Sequence, residues 1–370
     1  MLGPEAIAEL EKQQYRILGD NKHSAVKVCG WTKNMLRGKG GCYKLKFYGI
    51  RSHQCLQMTT SMSCANRCVF CWRGRKAPVA KKWRWGMDEP EDIIKGALDA
   101  QEHLLYGFGG HPTADKQLYE ESKEVRHVAL SLSGEPITYP RINEVVAGFH
   151  KRGISTFMVT NAQYTDEIRD LAPVTQLYLS VDAPSKDLLK KIDKPLFPDY
   201  WERFLGSLDG LAKKKGRTTI RITAIKGMNM VSPEGYAELV RRGDPDFVEV
   251  KAYMFVGASR QVLSIKNMPY HDEVKAFAEA ILAHLPGYAL ADEHKPSRVV
   301  LLAKKQYYDE ARKSWETWID FNAFFQRWAA YEAGECRDIP SEECSVRWTS
   351  AHAARDLEVA EGDIEEKDLD

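Results

Sequence analysis

Two hydrophobic periods alternate along most of this chain. From Leu56 onward, short apolar or β-branched runs of strand length are separated by stretches whose apolar residues return every three or four positions. The runs LQMTTSM (56–62), HVALSLSG (127–134), TFMVTNA (156–162), QLYLSVDAP (176–184), TTIRITAIKG (218–227) and DFVEVKAYMFVG (246–257) read as six strands. PEDIIKGALDAQEHLL (with Pro90 in its first turn), INEVVAGFHKRG, TDEIRDLA, two pieces ending by Lys215, and PEGYAELVRRG read as the helices between them. Such regular alternation implies parallel strands joined by right-handed crossovers. Six units predict an α/β fold, a partial (β/α)6 TIM-type barrel; a doubly wound sheet would carry the same pattern.

The flanks read differently. Residues 4–16 form an amphipathic helical pattern, followed by a loop-like, basic stretch. Past the sixth strand come a helix, HDEVKAFAEAILAHLPG, an apolar strand, RVVLLAKK (298–305), and a helical, aromatic end with Trp315, Trp318 and Trp328 packed on the barrel. The expected division is an N-terminal segment, 1–55, a barrel, 56–305, and a C-terminal helical extension with an acidic tail, 306–370.

Composition narrows the setting. With 44% hydrophobic and 28% charged residues among 370, the chain has ample core. No run approaches the roughly 20 apolar residues of a membrane helix, and MLGPEAIAELEKQQ lacks the apolar segment of a secretory signal, so a cytoplasmic protein is expected. The net charge of +1 argues against a histone-like coat for nucleic acid. It hides a segment from Lys22 to Arg84 rich in Lys and Arg, and an acidic tail from Glu358 to Asp370. Six of the eight cysteines fall between Cys29 and Cys71, and in a reducing compartment that crowding points to metal rather than disulfides.

Cys64, Cys68 and Cys71, spaced Cys-x3-Cys-x2-Cys, can reach one iron–sulfur cube from a single loop. No fourth cysteine follows until Cys336, so one iron would stay open to chelate a small molecule. Cys29, Cys42 and Cys55 are each separated by twelve residues and must be gathered by the fold. Two sets of three leave two clusters, each with an open iron, whereas zinc prefers four closed ligands and would leave a remainder of two. Three buried structural thiols are the alternative for the first set. Cys336 and Cys344 read as ordinary thiols.

In barrels of this kind the loops after the strand C-termini build the active site. Here the strand ends carry Cys64, then Ser133, Gly134 and Glu135, then Thr160 and Asn161, then Ser180 and Asp182, then Lys226 and Asn229, then Tyr253 and Met254. They ring one mouth. WRGRKAPVAKKWRWG (72–86) adds Arg73, Arg75, Lys76, Lys81, Lys82 and Arg84, interleaved with Trp72, Trp83 and Trp85. Cations among aromatic planes suit an unpaired RNA loop whose base is stacked or extruded.

The Cys-x3-Cys-x2-Cys loop resembles the signature of the radical S-adenosylmethionine enzymes, whose cofactor occupies the open iron through its amino and carboxylate groups. SGEP (133–136) resembles the glycine–glutamate motif of those enzymes, with Ser133 where many have Gly; Glu135 would accept the cofactor ammonium, with Asn161, Ser180 and Asp182 near its carboxylate or ribose. Two unlike cysteine triplets in order, with CYKLKFYGI, SLSGEPITYP, LSVDAP and ITAIKGMNM, resemble archaeal-type tRNA 4-demethylwyosine synthase from about Cys29 to Tyr253. That resemblance implies two 4Fe-4S clusters, S-adenosylmethionine, and a flavodoxin or ferredoxin as electron donor. It further implies that a 5′-deoxyadenosyl radical takes hydrogen from the methyl of 1-methylguanosine beside the anticodon of tRNA(Phe). Two carbons of pyruvate then close the third ring. Lys44 would form a Schiff base with pyruvate, and Lys46 is its local competitor. Other readings are a radical enzyme acting on a peptide or small molecule, and a zinc-stabilised RNA-binding protein without catalysis.

Overall fold

A computed structural model describes residues 1–74 and 77–347 of the chain. Its strands are β1 (Arg16–Leu18), β2 (Ser24–Val26), β3 (Cys55–Thr59), β4 (His127–Leu130), β5 (Ser155–Thr160), β6 (Gln176–Ser180), β7 (Thr218–Ala224), β8 (Phe247–Ala252), β9 (Tyr288–His294) and β10 (Val299–Lys304). They form one sheet in the order β1-β2-β3-β4-β5-β6-β7-β8-β10-β9. From β3 to β8 every pairing is parallel and each strand joins the one before it. A doubly wound sheet would reverse its order at a switch point. Here there is no reversal, so the winding is that of a barrel. Antiparallel strands flank it on both sides, β1 and β2 on one, β10 and β9 on the other.

The helices are α1 (Pro4–Lys12), α2 (Gly30–Leu36), α3 (Tyr43–Tyr48), α4 (Pro90–Leu105), α5 (Lys116–Ser122), α6 (Ile142–His150), α7 (Thr165–Asp170), α8 (Lys186–Asp193), α9 (Tyr200–Leu211), α10 (Pro233–Gly243), α11 (His271–Leu282) and α12 (Phe321–Glu332). α4 and α10 span the residues that periodicity marks, each opened by a proline. α1 stops at Lys12, four residues before the periodic pattern does.

Strand alternation sorts the core into an outer and an inner layer. Leu56, Met58, Val128, Leu130, Leu177, Leu179, Ile220, Ile222, Val248 and Val250 face the helices. Phe157, Tyr178, Phe247, Val299, Leu301 and Ala303 face inward, where α3 packs Tyr43, Phe47 and Tyr48 against them. The stretch expected as a loop therefore contains a helix that fills the barrel interior. Seven residues in α2 and six in α3, both capped by cysteine without a side-chain hydrogen bond, give little periodic or capping signal.

The C-terminal extension corrects one expectation. Trp315 and Trp318 lie in short strands, Ser314–Trp315 and Trp318–Ile319, and only Trp328 is in a helix. The acidic tail lies outside the described residues.

Candidate active site

The loop after β3 is clamped from two sides. Arg67 N and Val69 N donate to Asp193 O and Ile192 O at 2.9 and 2.8 Å, satisfying carbonyls at the end of α8, and Leu196 N donates to Ala65 O at 2.8 Å. The Arg73 guanidinium sits inside the loop: Nη1 donates to Met62 O (3.1 Å) and Pro78 O (3.3 Å), Nη2 to Asn66 O (3.0 Å). Arg73 is 7% exposed, which corrects its expected place among phosphate-facing cations. A charge so enclosed next to three thiols balances them rather than reading RNA.

Cys64 is buried, with Sγ accepting from Asn66 N and from Asn161 Nδ2, each at 3.3 Å. Cys68 and Cys71 are partly exposed. Beside them stands Glu135, 2% exposed. Its Oε2 accepts from Asn161 N at 3.0 Å, while its Oε1 has no partner. Burial pushes its carboxyl up to about 8. Gly134 has φ +73°, and a Cβ there would lie 1.9 Å from Ser61 O, so main chain and glycine are pressed together. Ser133 Oγ meets Met62 Sδ at 3.6 Å. An orphaned carboxylate oxygen, a glycine cradle and three soft donors fit an iron–sulfur cluster carrying an ammonium-bearing cofactor.

Ser180 ends β6 on the inner face, half-buried beside Arg221 in register. Asp182 is held by the neighbouring strand: Oδ1 accepts from Thr223 N at 3.2 Å and its main-chain O from Asn229 Nδ2 at 2.8 Å. Asn229, also bonded to Thr223 O and Ile225 N, is a staple of the mouth rather than a ligand.

The second set of thiols gathers at the other side of the interior. Cys29 precedes α2, Cys42 precedes α3 and Cys55 opens β3. Burial first, then mutual repulsion, pushes Cys42 up to about 12; burial likewise pushes Cys55 up to about 12, with Lys44 drawing both down. These four side chains share one field. Among the described residues no three His, Cys, Asp or Glu side chains converge as a single metal ion requires.

Lys44 reaches into the lumen, with Nζ 4.6 Å from the Tyr178 ring centroid and 5.7 Å from that of Phe157. Burial and then Arg221 lower its pKa, Glu249 opposing them. Lys46 points away, donating to Asp292 Oδ1 at 2.9 Å and Glu293 O at 2.7 Å. Arg221, Glu249 and Lys251 were not singled out from the sequence. The signal was there: charges alternate with apolar residues in TTIRITA and FVEVKA, which sets them on the inner face of buried strands. Arg221 Nε donates to Glu249 Oε2 and Arg221 Nη2 to Tyr43 OH, both at 3.0 Å; Tyr48 OH donates to Glu249 Oε1 at 2.9 Å.

Of the expected basic face, Lys81, Lys82 and Arg84 are exposed, while Arg75 and Lys76 lie outside the described residues. Trp83 anchors the segment, its ring centroid 4.9 Å from that of His23 and 5.6 Å from that of Tyr139. Trp72 packs on Tyr15, and Trp85 lies against Arg84 at 5.3 Å. Cys344 is buried with Phe324, Trp328 and Ile339, and Cys336 Sγ approaches Arg327 O at 3.7 Å.

A singly wound barrel with a three-thiol loop, a buried glutamate and a glycine cradle at its mouth defines a radical S-adenosylmethionine protein. Residues 58–240 match the Radical SAM superfamily and residues 242–304 match the family described as wyosine base formation. The S-adenosyl-L-methionine-dependent tRNA 4-demethylwyosine synthase TYW1 of Mus musculus is 48% identical over 349 residues, 94% of this chain and 48% of that protein. The corresponding synthase of Oryza sativa subsp. japonica is 48% identical over 328 residues, 88% of this chain and 50% of its own. The chain thus spans about half the length of these curated relatives. Two solved structures are similar along nearly their whole length. TYW1 with a lysine-pyruvate adduct bound is 38% identical with a TM-score of 0.74, covering 83% of this chain and 97% of that one. Archaeal TYW1 is 36% identical with a TM-score of 0.67, covering 83% and 98%. The chain belongs to the TYW1 family.

Proposed function

We propose that this chain makes 4-demethylwyosine by condensing 1-methylguanosine beside the anticodon of tRNA(Phe) with two carbons of pyruvate. The observation that carries the reading is the placement of one free lysine amine, Lys44, among a second set of thiols inside a radical S-adenosylmethionine barrel. The curated relatives are tRNA 4-demethylwyosine synthases and one similar structure holds a lysine-pyruvate adduct, which supports the same assignment.

Cys64, Cys68 and Cys71 would hold one 4Fe-4S cluster and Cys29, Cys42 and Cys55 a second. When bound, the first cluster and S-adenosylmethionine supply the radical that removes a methyl hydrogen. Glu135 receives the cofactor ammonium, Gly134 lets the main chain approach it, and Asn161 orients the carboxylate; Ser180 and Asp182 close the adjoining edge. Lys44 attacks the keto carbon of pyruvate with loss of water, and its lowered pKa keeps a fraction of the amine unprotonated. Lys81, Lys82 and Arg84, joined in sequence by Arg75 and Lys76, receive the tRNA backbone. A flavodoxin or ferredoxin would deliver the electron in the cytoplasm. No helix among the described residues is long and apolar enough to cross a membrane.

Anaerobic protein should contain iron and sulfide for two cubes, one of which is lost when Cys29, Cys42 and Cys55 are replaced by Ala. Given 1-methylguanosine-containing tRNA, pyruvate, S-adenosylmethionine and a reductant, the product base should gain two carbons by mass spectrometry. Zinc in place of iron, or unchanged tRNA with intact clusters, would overturn the proposal.

A further inference from the structure

Lys251 lies on β8 in the inward register, paired with Thr223 on one side and Val299 on the other. It is partly buried, and the one hydrogen bond of its Nζ is a long one, to Ser297 O at 3.3 Å. Its partner Val299 belongs to the inner layer with Tyr178, over whose ring the Lys44 amine lies, so Lys251 shares the interior with Lys44, and its charge bears on Cys42. Nζ stands 5.9 Å from the Tyr43 ring centroid, whose hydroxyl binds Arg221. The arginine of the chamber is spoken for: Arg221 is bonded to Glu249 and Tyr43. Ser297, 1% exposed, has an Oγ with no partner and sits beside the Lys251 amine through its own carbonyl. A half-buried ammonium with donors to spare, beside a buried serine whose hydroxyl has no partner, can receive an anion.

We propose that Lys251, with the Ser297 hydroxyl, forms the subsite for the carboxylate of the α-keto acid whose carbonyl is taken by Lys44. This deepens the reading of Lys44 given above and rests on it. An α-keto acid offers two adjacent functions, a carbonyl for an amine and a carboxylate for a cation, and the chamber presents one lysine for each. Aldehydes and neutral ketones satisfy only the first. Selectivity for a keto acid then comes from Lys251 rather than from the Schiff-base lysine.

The test uses anaerobically purified, cluster-loaded protein, borohydride trapping and two probes, labelled pyruvate and its uncharged amide, pyruvamide. In wild-type protein both should label Lys44, pyruvate at the lower concentration. Lys251→Met should raise the pyruvate concentration for half-maximal trapping by about tenfold or more, the order expected for a hydrogen bond to a charged group, and leave the pyruvamide value unchanged. Lys251→Arg, which keeps the charge, should restore most of the pyruvate preference. Equal weakening for both probes, or no change for either, overturns the inference. Absence of label from Lys44 in wild-type protein overturns the underlying reading and this one with it.

Discussion

The main-chain N–H of Asn161 donates to Glu135 Oε2 at 3.0 Å while the Asn161 side-chain amide donates to Cys64 Sγ at 3.3 Å. One residue at the end of β5 thus ties the Glu135 carboxylate to the first thiol of the Cys64–Cys71 loop. That link makes Glu135 the group whose ionisation should control cofactor binding.

Burial holds the Glu135 carboxyl protonated up to about 8, against an ordinary value of 4.5. An ammonium ligand needs it ionised. Affinity for S-adenosylmethionine should rise with pH up to about 8, with proton release on binding below that value, seen by calorimetry in buffers of different ionisation enthalpy. The sign for folding is the reverse. Between the two values the folded chain binds the extra proton, so apo stability should fall as pH rises through that window. Glu135→Gln should abolish both trends.

Gly134→Ala combines a left-handed φ with a Cβ that meets Ser61 O and the Met62 main chain. The backbone conformation alone costs on the order of 1–3 kcal/mol. A clear drop in the urea midpoint, together with loss of S-adenosylmethionine binding, is expected.

Lys44→Ala should lose borohydride-trapped pyruvate label completely, whereas Lys46→Ala should keep it. Lys46 is engaged with Asp292 at a half-exposed ion pair, and its removal should cost no more than about 1 kcal/mol in a denaturant titration. Label that survives Lys44→Ala would move the reactive amine elsewhere.

Arg73 and Lys82 lie nine residues apart and should behave as opposites. Arg73→Gln leaves buried carbonyls of the cluster loop short of a donor, at about 1–3 kcal/mol for each left unpaired, so iron per chain should fall. Lys82→Gln should leave iron unchanged and lower the salt dependence of tRNA binding, reducing the slope of log K against log salt by about 1. A steeper loss of tRNA affinity in Arg73→Gln with full iron content would contradict its placement inside the loop.

The parallel strands, the helices between them and the chemistry at the strand ends were legible because each has a local signature. Hydrophobic period marks β3 to β8, a proline opens α4 and α10, and the Cys-x3-Cys-x2-Cys spacing marks the loop. What escaped depends on tertiary contact. Arg73 looks like any surface cation in WRGRK until the carbonyls of Met62, Asn66 and Pro78 surround it. α3 has too few turns to declare itself, and its place is decided by Tyr43 and Phe47 meeting the interior of the barrel. Glu249 and Lys251 alternate with apolar residues in FVEVKA, but what they meet on the inner face, Arg221, Tyr43 and Tyr48 among it, is set only by the folded sheet.

The carbonyls that end α3 are completed from the far end of the chain. Thr317 Oγ1 donates to Phe47 O at 2.8 Å and Trp318 Nε1 to Lys46 O at 2.9 Å, while the buried Arg217 reaches Thr317 O at 2.7 Å. The helix that positions Lys44 thus meets partners that lie 270 and 272 residues further along the chain. The seat of Lys44 is therefore closed by a long-range contact, and the last carbonyls of α3 lack these donors until that distant segment has docked.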